Sequence, residues 1–157
     1  MNFNVVVLIA DSLDMLADAV VYGLNLYAVG RTVQLQKRAA KFSGILKFVL
    51  ALWVLVEVLR RFILGSDPEP LYMVGVATVA LIANVTCLVL LSKHRAGGVH
   101  MKASWIFSAN DVIANIGVIL AGILVAVTSS RLPDLIIGLI ICVVVLRGAI
   151  KIMKISR

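Results

Sequence analysis

The stretch LYMVGVATVALIANVTCLVLL, running from Leu71 to Leu91, contains no charged residue. As a helix rising about 1.5 Å per residue it spans the roughly 30 Å hydrocarbon core of a bilayer. Inside hydrocarbon every backbone N–H and C=O must find its partner within the segment, which makes the segment a helix. Two prolines precede it in Ser66-Asp67-Pro68-Glu69-Pro70, and Ala96-Gly97-Gly98 breaks the chain after it. Both are turn signals.

Four further apolar segments flank this one: Val5 to Val29, Phe42 to Leu64, Ala103 to Thr128 and Leu135 to Ile150. Pro133 opens the last at a position where a helix tolerates proline. That segment is short, and Arg147 near its end can snorkel to the headgroups. A membrane barrel would instead show alternating segments of about ten residues. The expected fold is all-α: a polytopic transmembrane bundle of five spanning helices forming one domain over residues 1–157. Composition agrees, since 62% of the chain is hydrophobic and 15% charged, against roughly 25% charged in a soluble domain.

The net charge of +7 could suggest a nucleic-acid partner. The bases lie between apolar segments, however, and membrane topology explains them better. Arg31, Lys37, Arg38 and Lys41 fall in the 30–41 connection, Lys93, Arg95 and Lys102 in 92–102, and Lys151, Lys154 and Arg157 at the end. The connections on the other side hold only Arg131, with Glu57, Arg60 and Arg61 close enough to pair at helical spacing. By the positive-inside rule the 30–41 and 92–102 loops and the C-terminus are cytoplasmic, and the N-terminus is outside. Cys87 and Cys142 lie in apolar segments without CxxC spacing and read as small hydrophobes. His94 and His100 read as solvated residues of the basic 92–102 loop.

The first segment departs from a lipid-facing helix because it contains Asp11, Asp14 and Asp18. An aspartate at the centre of a lone spanning helix costs about 2.5–3.5 kcal/mol on insertion scales. Three of them rule out a secretory signal core and require protein, water or a cation opposite. At 100° per residue the three lie within about 60° of one another, with Tyr22 and Asn25 on the same stripe. Asp14 and Asp18, one turn apart, can present two carboxylates to one ion; Asp11 can equally cap or bond near the outer surface. In the fourth segment Asp111 is the lone acid, with Ser104, Ser108 and Asn115 on its face and Asn110 a quarter-turn away. Asparagine and serine also join membrane helices with no transport role, and Gly117 and Ala121 form a small-xxx-small pair. Carboxylate and amide oxygens suit hard or borderline divalent cations. Carboxylates gathered around a departed metal can take up protons in its place.

Three stretches resemble the cation diffusion facilitator family of metal–proton antiporters: residues 10–19 (ADSLDMLADA), residues 110–119 (NDVIANIGVI), and Pro133-Asp134 leading through Gly138 to Arg147-Gly148-Ala149. The resemblance implies that Asp14 and Asp18 match the family's His/Asp-xxx-Asp motif and that Asp111 closes its partner motif. It marks Asp14, Asp18 and Asp111 as metal ligands, with Asn110, Asn115 and Asp11 as additional candidates. Four residues before Asp111, where the family carries a further ligand, stands Phe107. The pattern begins at the family's second helix and lacks its C-terminal cytoplasmic domain, a short form. The resemblance implies that the second, fourth and fifth family helices bundle together, with the third and sixth as a pair beside them.

The implied function is export of a divalent cation from the cytoplasm by proton antiport, with zinc as the type and cadmium, cobalt, iron or manganese not distinguished. The cation is cargo, and no tightly bound cofactor or enzymatic activity is expected. Lipid bilayer, divalent metal and protons are the expected partners, with a homodimer as the assembly the family suggests and no nucleic acid. The bacterial inner (plasma) membrane is the expected location. A different class of reading is a truncated, non-transporting membrane fragment or accessory subunit; a small-molecule exporter is a third.

Overall fold

The computed structural model describes residues 3–93 and 97–156, with side chains from Met15 onward. Its elements are five helices: α1 (Phe3–Tyr27), α2 (Val33–Leu64), α3 (Pro70–Ser92), α4 (Val99–Thr128) and α5 (Leu132–Ile155). Helices α2 to α5 are long and apolar enough to cross a membrane. Helix α1 has the length, but every 18-residue window along it contains Asp11, Asp14 and Asp18. The chain is an integral membrane protein built as an all-α bundle. Its outer surface is correspondingly apolar, with Ile63, Leu71 and Val127 among the most exposed side chains.

Three helices run past their apolar segments, and each does so at its basic end. Helix α2 begins at Val33 rather than near Phe42, α4 at Val99 rather than near Ala103, and α5 continues to Ile155. Most of the 30–41 stretch expected as a loop is therefore the first turns of α2. Lysine, arginine, glutamine and alanine are good helix formers, so the backbone stays helical where the apolar signal stops. Thr32 caps α2 by accepting the Leu35 N–H at 3.4 Å. Pro70 and Pro133 sit in the first turns of α3 and α5, where a missing N–H costs nothing.

Helix α4 is the hub. It packs along α3 and α5 and also touches α2 and α1, while α2 runs along α5. The α2–α5 pairing is the one the resemblance implies. The grouping differs in two respects: the pair is joined directly to α4, and the α1 backbone runs alongside α2 and α4 and not α3 among the described residues. Small residues permit the close approaches. A Cβ on Gly44 would stand 2.8 Å from Met153 Cγ of α5, and one on Gly122 would stand 2.9 Å from Val74 Cγ2 of α3. Gly117 abuts Ile141 of α5, so the small-xxx-small pair does serve helix packing.

At the end holding the acidic turn, Glu57 accepts hydrogen bonds from Arg60 at 2.7 and 2.8 Å and from Arg61 at 3.0 Å. Arg61 also donates to Asp134 Oδ2 at 3.3 Å, which ties α2 to the first turn of α5. Both cysteines are free. Cys142 is buried with its thiol 3.5 Å from the Ala51 carbonyl oxygen, and Cys87 is half-buried.

Candidate intramembrane cation site

Polar side chains are buried inside the bundle among its apolar core residues. On α4, His100, Ser104, Ser108 and Asp111 recur at helical spacing and are all buried. Opposite them, α1 turns Asp18 and Asn25 inward, with Tyr22 partly buried between them. Helix α2 contributes Ser43 and Lys47, both essentially inaccessible. Asn25 Nδ2 donates to Ser43 Oγ and to the Val21 carbonyl, each at 2.9 Å, and Ser43 Oγ donates to the Ala39 carbonyl at 3.0 Å. Ser108 Oγ donates to the Asn84 carbonyl of α3 at 3.0 Å. These bonds satisfy groups that could find no water in hydrocarbon.

At the centre of this interior the Lys47 ammonium donates to Asp111 Oδ1 in a buried ion pair; the two side chains are 2% and 6% exposed. The same ammonium lies 4.0 Å from the centroid of the Phe107 ring, a cation–π position that also stabilises its charge. Phe107 is fully buried and meets Tyr22 edge-on, with ring centroids 6.3 Å apart. Tyr22 is one turn beyond Asp18 on α1, and Phe107 one turn before Asp111 on α4. The two carboxylates thus approach one polar interior from different helices.

Of the expected site residues, Asp18 and Asp111 are buried in this interior. The side chains of Asp11 and Asp14 lie outside the described residues, although both positions belong to α1. Among the described residues no three acid, histidine or cysteine side chains gather at one point. Asn110 is buried against α5, where a Cβ on Gly148 would collide with its Nδ2. Its side chain therefore lies over Gly148 of α5. Asn115, one turn beyond Asp111, is half-buried.

Two residues have a different place from the one their sequence context suggests. Lys47 lies in the apolar run of α2, where no motif marks it, yet it is the direct partner of Asp111. The available signal was electrostatic: a lysine inside one spanning segment and a lone acid inside another are each costly until they meet. His100, expected as a solvated loop residue, is 1% exposed in the first turn of α4. The helix begins before it, and Gly98 at φ +132 leads the chain in so closely that a Cβ there would meet both Gln36 and His100. His94 lies outside the described residues.

Comparison with known proteins places this geometry in a family. The model of the cation efflux transmembrane domain matches residues 1–157. The metal cation efflux system protein CzcD of Cupriavidus metallidurans is 27% identical over 146 residues, covering 85% of this chain and 46% of that protein. The zinc transporter ZitB of Pectobacterium atrosepticum is 29% identical over 164 residues, covering 94% and 50%. A cadmium, cobalt and zinc/H(+)-K(+) antiporter of Bacillus subtilis is 24% identical over 121 residues, covering 74% and 38%. The chain spans about half the length, or less, of these curated relatives. A family model matching from the first residue to the last, on a helical membrane bundle with buried carboxylates, makes the chain a member of the cation efflux family, the cation diffusion facilitators.

Proposed function

We propose that the chain carries a divalent metal cation out of the cytoplasm in exchange for protons, with zinc as the representative cargo. The observation that carries this reading is that Asp18 of α1 and Asp111 of α4 are buried in one polar interior of an otherwise apolar bundle, with a cation already in contact with Asp111. Buried carboxylates are costly in a membrane and mark ion pathways. Asp14, one turn from Asp18, supplies the third carboxylate. Asn115, one turn beyond Asp111, and water complete the ligand set as neutral oxygen donors, and Asn110 serves the α4–α5 contact.

Metal enters from the side where α2 and α4 carry their basic turns, the cytoplasm, and helix rocking then exposes the site outside. Protons take the metal's place on the carboxylates as it leaves. The names of CzcD, ZitB and the Bacillus antiporter support cation, zinc and proton-linked transport for this chain. The plasma membrane, an external N-terminus and a homodimer complete the reading.

Proteoliposomes loaded with a zinc indicator and a pH indicator test it. Zinc entry should be accompanied by proton movement in the opposite direction. Asp18→Asn should reduce the zinc rate at least tenfold with the helical signal retained. Equal rates for the variant and the parent would overturn the assignment. One observation favours a second reading, a non-transporting subunit: Lys47 already fills the cation position at Asp111. That reading predicts no zinc flux from well-folded protein.

A further inference from the structure

We propose that Lys47 is a tethered counter-cation of the carboxylate site: its ammonium holds the position at Asp111 that a divalent cation takes, and cargo binds by displacing it. The proposal rests on the metal-site reading above and adds a specificity-determining residue to it.

Three features lead to it. First, Lys47 is one of the largest fully buried side chains in the molecule, and it lies in an apolar run of a spanning helix. Replacing a buried ion pair by apolar side chains is often neutral or stabilising, so fold stability alone gives little reason for a lysine here. Second, its ammonium contacts Asp111 Oδ1 and the face of Phe107 together. Phe107 stands one turn before Asp111, on the face where another ligand could project. An ammonium and a ring therefore fill the space beside the carboxylate, and the ammonium supplies the charge. Third, lysine is a flexible stem carrying a point charge, and helical side chains lean toward their helix N-terminus. For α2 that is the basic end, so a displaced Lys47 moves toward Ser43, one turn back.

The consequences follow from charge. A divalent ion at Asp111 and the Lys47 ammonium repel each other strongly in a low-dielectric interior, so divalent binding favours release of the Lys47–Asp111 contact. A covalently tethered ammonium competes at a high effective concentration and keeps monovalent ions from Asp111. A divalent ion, drawn by two charges and by several carboxylates, can displace it. With the cargo gone, the ammonium returns and neutralises Asp111, so the empty bundle can reset without a bare buried carboxylate at that position.

The test is zinc affinity of the full chain in lipid nanodiscs, measured by competition with a chelating indicator. Lys47→Met should bind zinc at least tenfold tighter than the parent, and Lys47→Arg, which keeps a tethered charge and can pair with Asp111 bidentately, should bind no tighter than the parent. Zinc binding by Lys47→Met that equals or is weaker than the parent's, while still lost in Asp111→Asn, overturns the tethered-cation role and leaves the metal site standing. Absence of zinc binding in the parent and in every folded variant overturns the metal-site reading together with this one. If Lys47→Met does not fold, the parent labelled with 15N-lysine decides. The Lys47 ammonium signal, assigned with Lys47→Gln, should shift on saturation with zinc; an unmoved signal contradicts displacement.

Discussion

Removing the Asp111 charge is the perturbation whose effect on stability is best defined. Asp111→Asn keeps the shape of the side chain and leaves the Lys47 ammonium buried opposite an amide. Breaking a buried ion pair from one side costs about 3–5 kcal/mol. The Phe107 ring under the same ammonium returns roughly 1 kcal/mol of this, leaving a net loss of about 2–4 kcal/mol. At about 1.4 kcal/mol per factor of ten, that is roughly thirty- to several-hundred-fold in the folding equilibrium. Reversible unfolding in mixed micelles, followed through Trp53 and Trp105, gives the number. The double variant Lys47→Met with Asp111→Asn should recover to within about 1 kcal/mol of the parent or exceed it, because both charges leave together. A loss below about 1 kcal/mol for Asp111→Asn, or a double variant no better than the single, would mean that the two buried charges do not depend on each other.

The remaining predictions concern packing and the charged network. Gly44→Ala should cost about 1–3 kcal/mol by forcing α2 away from Met153, whereas Gly23→Ala, with open space around it, should be neutral or stabilising by up to about 1 kcal/mol. Thermal melts of the two variants side by side check the contrast. Glu57→Gln should change stability by less than about 1 kcal/mol, since its partners Arg60 and Arg61 are partly exposed. The change should shrink further in high salt, as unfolding at two ionic strengths will show.

The membrane bundle was legible in the sequence because burial in lipid needs long apolar runs, and such runs carry their signal residue by residue. The helix ends were less so. The turns from Val33 to Lys41 and from Val99 to Lys102 are helical without being apolar, and hydropathy does not register them. The stripe of Asp18, Tyr22 and Asn25 followed from helical periodicity, as did Ser104, Ser108 and Asp111 on α4, since one-helix geometry is fixed by spacing. What spacing cannot supply is the partner on another helix. Lys47 and Asp111 are 64 positions apart, and their meeting is a tertiary fact. Asn110 shows the same limit: next to Asp111 in sequence, it is turned by one residue's rotation onto Gly148 of α5. His100 belonged by composition to a basic loop, and only the early start of α4 buries it.

In the proposed mechanism Asp18 and Asp111 hold a transported divalent cation between α1 and α4. Its most direct test is zinc flux into proteoliposomes containing the parent chain, Asp18→Asn and Asp111→Asn, each shown to be folded by its helical signal. Zinc entry coupled to opposite proton movement is expected in the parent, with at least a tenfold loss in both variants. Zinc entry unchanged by either substitution, or none from well-folded parent protein, would contradict the mechanism.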